Sequence, residues 1–371
     1  MKWEGPGPGE RLLVLAPHPD DETLAAGGLL QRAITRGGGA RVVFATDGEN
    51  NPWTQRLVER RFRIGPEDSA RFGRRRRQEA LAALAELGLK AEDSVFLGLP
   101  DQAITDLLLF GDEAAVDRLG SLLADWRPTL MVLPSLHDLH PDHSALAVLA
   151  RLALARLSPG RLAPGRPAAE RAPRLLSYVV HRSRTMKLGE ADGGPDVARF
   201  ELTQAEKDRK RRAIRCHATQ LVVHRRKFLG YAEREEIFFP VEAGEGRDAL
   251  HPVRRAILNA GALRLDLELC PRLGAFGRPT LHLATGGDGA RQSRSLALRW
   301  KRGRVDVTDP LTAENKGLAS LRGDRRGGTV EVPLASLPRS GRLFVKLERR
   351  FGFFDEGGWL EVNGPPDDDA C

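Results

Sequence analysis

In the stretch "VLAPHPDDETLAAGG" (14–28), His18, Asp20, Asp21 and Glu22 stand directly after an apolar run and before a series of small residues. A second tract, "LHDLHPDHS" (136–144), supplies His137, His140 and His143 after another apolar run. Imidazoles and carboxylates are the usual ligands of zinc and of non-haem iron, and a carboxylate beside such a site can carry a proton during hydrolysis. Pro17 and Pro19 disfavour helix until about Asp20, so His18 and Asp21, three residues apart, sit on a turn entering a helix and can face one point. Two imidazoles and one carboxylate drawn from the two tracts make a three-ligand site with an open position, as in catalytic zinc centres. The same set suits non-haem iron. Either tract alone also reads as a capped helix start; both together, each after a strand-like run, favour a shared site.

The elements that must position these residues are legible as a pattern. "RLLVLAP" (11–17), "RVVFAT" (41–46), "SVFLGLP" (94–100), "TLMVLP" (129–134) and "RLLSYVV" (174–180) are continuously apolar, as strands of a parallel sheet buried on both faces are. Between them "TLAAGGLLQRAITRG", "RRRRQEALAALAELG", "AAVDRLGSLLADW" and "SALAVLARLALARL" carry helical spacing. The fold class expected is α/β, a Rossmann-like mostly parallel sheet with helices on both faces. In such sheets the ligand crevice lies beyond the carboxyl ends of the strands where winding reverses, between the first and fourth strands, which is where both tracts fall.

After about residue 245 short strand-like runs recur without long helices, from "LRLDLELCP" (263–271) to "WLEVNG" (359–364). They predict a C-terminal β-rich, sandwich-like or barrel domain. The organisation expected is therefore 1–245 and 250–371, joined near "GEGRDALHP" (244–252). "SPGRLAPGRPAAERAPR" (158–174) reads as an exposed loop, and "PPDDDAC" as a frayed end.

The 371 residues are 41% hydrophobic and 29% charged, with a formal net charge of +8. No run approaches the about 20 apolar residues of a membrane span, and the start lacks a signal-peptide pattern, so the expected location is cytoplasmic. The basic tracts "RFGRRRR" (71–77) and "KDRKRRAIR" (207–215) read as solvated helix faces, with contact to an anionic substrate as a subsidiary reading. No nucleic-acid-binding motif accompanies them. Cys216, Cys270 and Cys371 show no metal or redox spacing and read as free thiols.

At "APHPDDE" and "HPDH" the chain resembles the PIG-L (LmbE-like) family of zinc-dependent N-deacetylases, which act on N-acetylglucosamine units of glycoconjugates. The resemblance covers about residues 8–240 and includes "TDGE" (46–49), "GLPD" (98–101) and "HATQ" (217–220). It implies Zn2+ held by His18, Asp21 and His143, Asp20 as general base, His140 as the group that polarises the acyl carbonyl, and Asp142 as the acid that orients His140. It also implies that Arg76, Asp101 and His217 lie near the bound sugar, and that the substrate is an N-acetylated amino sugar or glycoconjugate. The β-rich region lies outside it.

Three functional classes compete at this point: a zinc hydrolase, a non-haem iron enzyme, and a glycan-binding protein whose metal site is vestigial. Asp20 and His140 favour hydrolysis, because acid–base groups beside a metal serve that chemistry. His181 is a candidate for the same crevice, Glu22 a support of the helix start, and His137 a bystander. His224, His251 and His282 read as surface groups, and Trp300 and Trp359 as either sugar-stacking or core residues.

Overall fold

Five strands run parallel: β1 (Arg11–Ala16), β2 (Gly39–Phe44), β3 (Ser94–Phe96), β4 (Leu130–Pro134) and β5 (Arg174–Tyr178). Two antiparallel strands, β6 (Ala198–Phe200) and β7 (Glu236–Pro240), extend the sheet to the order β3-β2-β1-β4-β5-β7-β6. The computed structural model describes residues 3–111, 113–157, 172–181, 197–241, 251–259, 261–269, 279–286, 292–324, 326–337, 341–349 and 354–362. The expected loop at 158–174 and the expected frayed end lie almost wholly outside these residues, as do Cys270 and Cys371; Cys216 is a free thiol.

The unbroken apolar character of β1 has its cause in the layers around it. Leu12, Val14 and Ala16 pack into a core with α1 (Asp21–Thr35), α3 (Pro66–Leu87), α7 (Gln204–Cys216) and α8 (Ala218–Leu229). Leu13 and Leu15 point the other way, into a core with α4 (Ile104–Phe110), α5 (Ala114–Trp126) and α6 (Pro141–Leu157). Both faces of the sheet are therefore covered, which removes any place for alternating polar residues. The short helices α2 (Pro52–Glu59) and α4 have no counterpart among the expected elements.

The basic tracts lie on helices, as expected, but each sends one cation inward. Arg76 on α3 is 4% exposed, and Lys210 on α7 is fully buried with its Nζ 2.6 Å from Glu236 Oε1. That same carboxylate accepts the Gly28 and Leu29 backbone N–H groups of α1. A Cβ on Gly28 would stand 2.7 Å from the Leu202 side chain and 3.1 Å from Glu236 Oε1 at the start of β7, so the helix packs closely at this glycine.

The second sheet is wholly antiparallel: β8 (Val253–Leu258), β9 (Ala262–Glu268), β10 (Thr280–Gly286), β11 (Gln292–Ala297), β12 (Arg304–Thr308), β13 (Asn315–Asp324), β14 (Gly327–Pro333), β15 (Arg342–Glu348) and β16 (Trp359–Val362). Its order is β16-β15-β10-β11-β12-β13-β14-β9-β8, and the two edge strands come within 8 Å of each other around a shared apolar core. The boundary tract 242–250 lies outside the described residues. The two sheets do not have fully separate cores: Ala284, Phe344 and Trp359 pack into the α4–α5–α6 cluster. Ser293 donates to the Leu109 carbonyl at 2.6 Å, and Arg151 on α6 pairs with Glu361 at 2.6 Å. Trp359 is fully buried, so it is a core residue with no face for a sugar.

Candidate active site

β1 and β4 are neighbours, so the turns that follow them lie side by side. After β1 the chain turns through 17–20 and enters α1 at Asp21. Asp20, the residue before that helix, has φ +145°, a conformation that costs a non-glycine residue about 1–3 kcal/mol. Its backbone N–H donates to Glu22 Oε2 at 2.9 Å, which holds the turn in this shape. After β4, residues 135–140 lead to α6, which starts at Pro141, a position where the missing N–H costs no helical bond.

The two turns bring His18, Asp21 and His143 together. Asp21 Oδ2 lies 3.2 Å from His18 Nδ1 and 3.2 Å from His143 Nε2. Ligand atoms around a tetrahedral zinc, at bonds of about 2.0–2.1 Å, are separated by about 3.3 Å, which each of these two distances matches; the donor sets that converge within 4.8 Å among the described residues are His18, His140 and His143, then Asp21, His143 and His181, then His18, Asp101 and Asp142. Both ring nitrogens of His143 are buried, and its Nε2 faces the Asp21 carboxylate. Its other ring nitrogen lies 3.2 Å from Asp138 Oδ2, the carboxylate–histidine arrangement that orients metal ligands. Burial disfavours charge on His143, but the Asp21 and Asp138 carboxylates outweigh it and raise its pKa to about 9.

Asp20 points beside this cluster. Its Oδ2 lies 3.1 Å from Arg76 Nη2, and burial pushes its pKa up to about 6 against the opposing pull of the guanidinium. Arg76 also donates to the Pro19 carbonyl at 3.0 Å and the Gly48 carbonyl at 2.9 Å, spanning the turn. His140 lies with its ring 4.7 Å from that of His18 and 4.9 Å from that of His143. Burial, reinforced by the neighbouring histidines, depresses its pKa well below the usual imidazole range.

Asp142 meets His140 differently from the expectation. Its backbone N–H donates to His140 Nδ1 at 3.2 Å, while its carboxylate accepts the Gln102 and Ile104 N–H groups at 2.7 and 3.1 Å. Nδ1 is thus an acceptor and the ring proton of the neutral imidazole sits on Nε2, making His140 a neutral donor. The Asp142 carboxylate instead stands 3.4 Å from His18 Nε2, and Asp101 Oδ1 stands 3.0 Å from the same nitrogen.

A cleft of about 370 Å³ opens over the cluster, walled by His18, Asp20, Asp21, Arg76, Asp101 and His140 at its base. Trp53, Lys227, His224 and Phe354 are on its walls, and His181 lines it with its ring 5.2 Å from that of His140. His217 is not brought to the cleft; it is 1% exposed, its Nε2 3.2 Å from Thr23 Oγ1 and 3.4 Å from Glu22 Oε1, behind the Asp20 turn. His251, expected at the surface, is buried with its ring 5.6 Å from that of His137.

Two residues here have no counterpart in the sequence reading. Asp138 accepts the His140, Val180 and His181 backbone N–H groups at 2.9, 2.8 and 3.1 Å, tying the histidine loop to the end of β5. Its signal was its place inside "LHDLHPDHS". Phe354 comes from the β-rich region and left no local signal.

A family model for PIG-L, described as GlcNAc-PI de-N-acetylase, matches residues 13–154. A probable N-acetyl-alpha-D-glucosaminyl L-malate deacetylase 2 of Bacillus subtilis is 31% identical over 217 residues, 57% of this chain and 83% of that protein. A 1D-myo-inositol 2-acetamido-2-deoxy-alpha-D-glucopyranoside deacetylase of Mycobacterium sp. (strain KMS) is 34% identical over 147 residues, 36% of this chain. The chain spans only 46% of that mycobacterial relative. Among solved structures, N,N'-diacetylchitobiose deacetylase from Pyrococcus horikoshii aligns with a TM-score of 0.46 at 20% identity, over 62% of this chain and 84% of that one.

Proposed function

From the premise that the chain belongs to the PIG-L family, we propose that it is a zinc-dependent hydrolase that removes the N-acetyl group from an N-acetylglucosamine-type sugar or sugar conjugate. The observation that carries the reading is the single Asp21 oxygen 3.2 Å from ring nitrogens of both His18 and His143, with the Asp20 carboxylate at the same cleft. The relatives' deacetylase names agree with it.

His18, Asp21 and His143 are the residues that would hold the zinc. A zinc bound there supplies Lewis acidity and lowers the pKa of a bound water from about 16 to about 7. Asp20 accepts the proton of the attacking water as its oxygen bonds to the acyl carbon, then returns a proton to the nitrogen as the C–N bond breaks. Acetate and the free amine leave. Arg76 holds the Asp20 carboxylate in place through the 3.1 Å contact. The Nε2–H of His140 donates to the acyl oxygen as it gains negative charge; losing one such donor costs roughly 3 kcal/mol of barrier.

Asp101 and Asp142 orient His18 through its Nε2, and Asp101, at the cleft base, is also within reach of the sugar. His217 acts through Glu22 and the Asp20 turn. Lys227 and His224 at the wall give an anionic substituent on the substrate a place to bind. The division into 1–245 and 250–371 and a cytoplasmic location belong to this reading; among the described residues no helix is long and apolar enough to cross a membrane.

The test is a panel of N-acetylated sugars and sugar conjugates assayed for free amine, with zinc supplied and with zinc chelated. Acetate release by Asp20→Ala at the wild-type rate would reject the mechanism.

A further inference from the structure

Residues 354–358, which precede β16, lie against the histidine loop of the α/β part. The Asp355 N–H donates to the Leu139 carbonyl and the Trp359 N–H to the Leu136 carbonyl, both at 2.8 Å. Ser144, one residue after His143, donates its hydroxyl to Asp355 Oδ2 at 3.1 Å, and the buried Lys346 Nζ lies 2.9 Å from Asp355 Oδ1. Gly358 has φ +70°, and a Cβ there would lie 2.0 Å from the Leu136 carbonyl oxygen, so only glycine lets the two backbones approach this closely. Trp359 is fully buried in the same core as α6.

This anchoring fixes one side chain at the cleft. Phe354, adjacent to the latched Asp355, is 55% exposed, with its ring 5.7 Å from that of His181 and 6.3 Å from that of His140. A half-exposed aromatic ring on the wall of a polar cleft offers an apolar face to a ligand that presents C–H groups on one side and hydroxyls on the other, as a pyranose does.

We infer that Phe354 is a substrate-binding residue supplied by the β-rich region, and that its ring packs on the C–H face of the amino-sugar ring. The inference rests on the deacetylase reading, because it places the acyl group at His140 and the sugar ring outward of it, where Phe354 stands. The β-rich region then completes the sugar subsite of the catalytic cleft, and its role does not depend on a separate glycan site of its own.

Steady-state kinetics of the full chain on its best N-acetylated sugar tests this, beside ligand-observed NMR binding of N-acetylglucosamine and glucosamine. Phe354→Ala is expected to raise KM and weaken both sugars roughly tenfold, with kcat, zinc content and Tm near wild type. Phe354→Trp is expected to restore KM. Phe354→Leu, which keeps apolar bulk without a ring, is expected to stay weak. Wild-type KM and sugar binding in Phe354→Ala, or full recovery in Phe354→Leu, overturns the inference. Wild-type protein that binds the sugars without releasing acetate removes the deacetylase reading and leaves the binding comparison to decide this one; wild-type protein that neither binds nor cleaves them overturns both.

Discussion

Arg76 Nη2 stands 3.1 Å from Asp20 Oδ2, and neither side chain is more than 9% exposed. A guanidinium can meet this carboxylate and two backbone carbonyls at once because its donors are fixed in a plane. A lysine has one nitrogen and cannot span them. Arg76→Lys should therefore lower kcat/KM by roughly 10- to 100-fold, about 1.4–2.7 kcal/mol, through misplacement of Asp20. Zinc content measured on the same sample should stay unchanged; its loss would show that Arg76 supports the ligand turn and not the base alone.

His18→Ala, Asp21→Ala and His143→Ala should each weaken retention of zinc in dialysis far below wild type, because each removes one of three protein ligands. Asp20→Asn should keep the metal and lose turnover. Elemental analysis beside acetate release separates the two outcomes, and a chelator should silence the wild type until zinc is returned.

Removing everything after residue 245 uncovers the faces of α4 and α6 that pack against Ala284, Phe344 and Trp359. Losing the buried contact of a large aromatic alone costs about 3–5 kcal/mol. The truncated chain should aggregate or melt well below the full chain in a thermal scan. Equal melting temperatures would mean that the α/β part is stable alone.

The N-terminal turn of α7 predicts a pH effect remote from the candidate metal site. Glu206 accepts two Arg32 donors at 2.6 Å each and closes a reciprocal cap with Thr203. Burial opposes its charge, but these bonds lower its pKa below the usual value. A depressed carboxylate pKa contributes stability above the unfolded value of about 4.3, and that stability is lost as pH falls through the folded one. Glu206→Gln should cost about 1 kcal/mol near neutral pH, and its Tm gap from wild type should narrow below about pH 4. A gap of constant size across that range would count against the ion pair.

The strands were legible because burial on both faces leaves an unmistakable apolar run, as in β1 and β4. Arg76 is reached only through the resemblance, because its tract reads as a solvated face, although it falls on the stripe Phe72, Arg76, Ala80, Ala83, Leu84 and Leu87 that α3 buries. The metal tracts could be matched because both turns end neighbouring strands. The rest depended on partners distant in sequence. Asp138 could be seen in its tract, but its work at the Val180 and His181 N–H groups arises only when β5 is set beside β4. His251 shows no local reason to be buried until Gly357 closes on it, with a Cβ position 2.7 Å from its ring. The resemblance implies Asp142 as the acid that orients His140, whereas its oxygens accept the N–H groups of Gln102 and of Ile104 at the start of α4.

The latch between Ser144 and Asp355 joins positions 211 residues apart. A ribosome adding about 5–20 residues per second makes the second partner roughly 10 to 40 seconds after the first. For that interval the nascent histidine loop stands without its far wall, and the α6 surface is open to chaperones and to wrong neighbours.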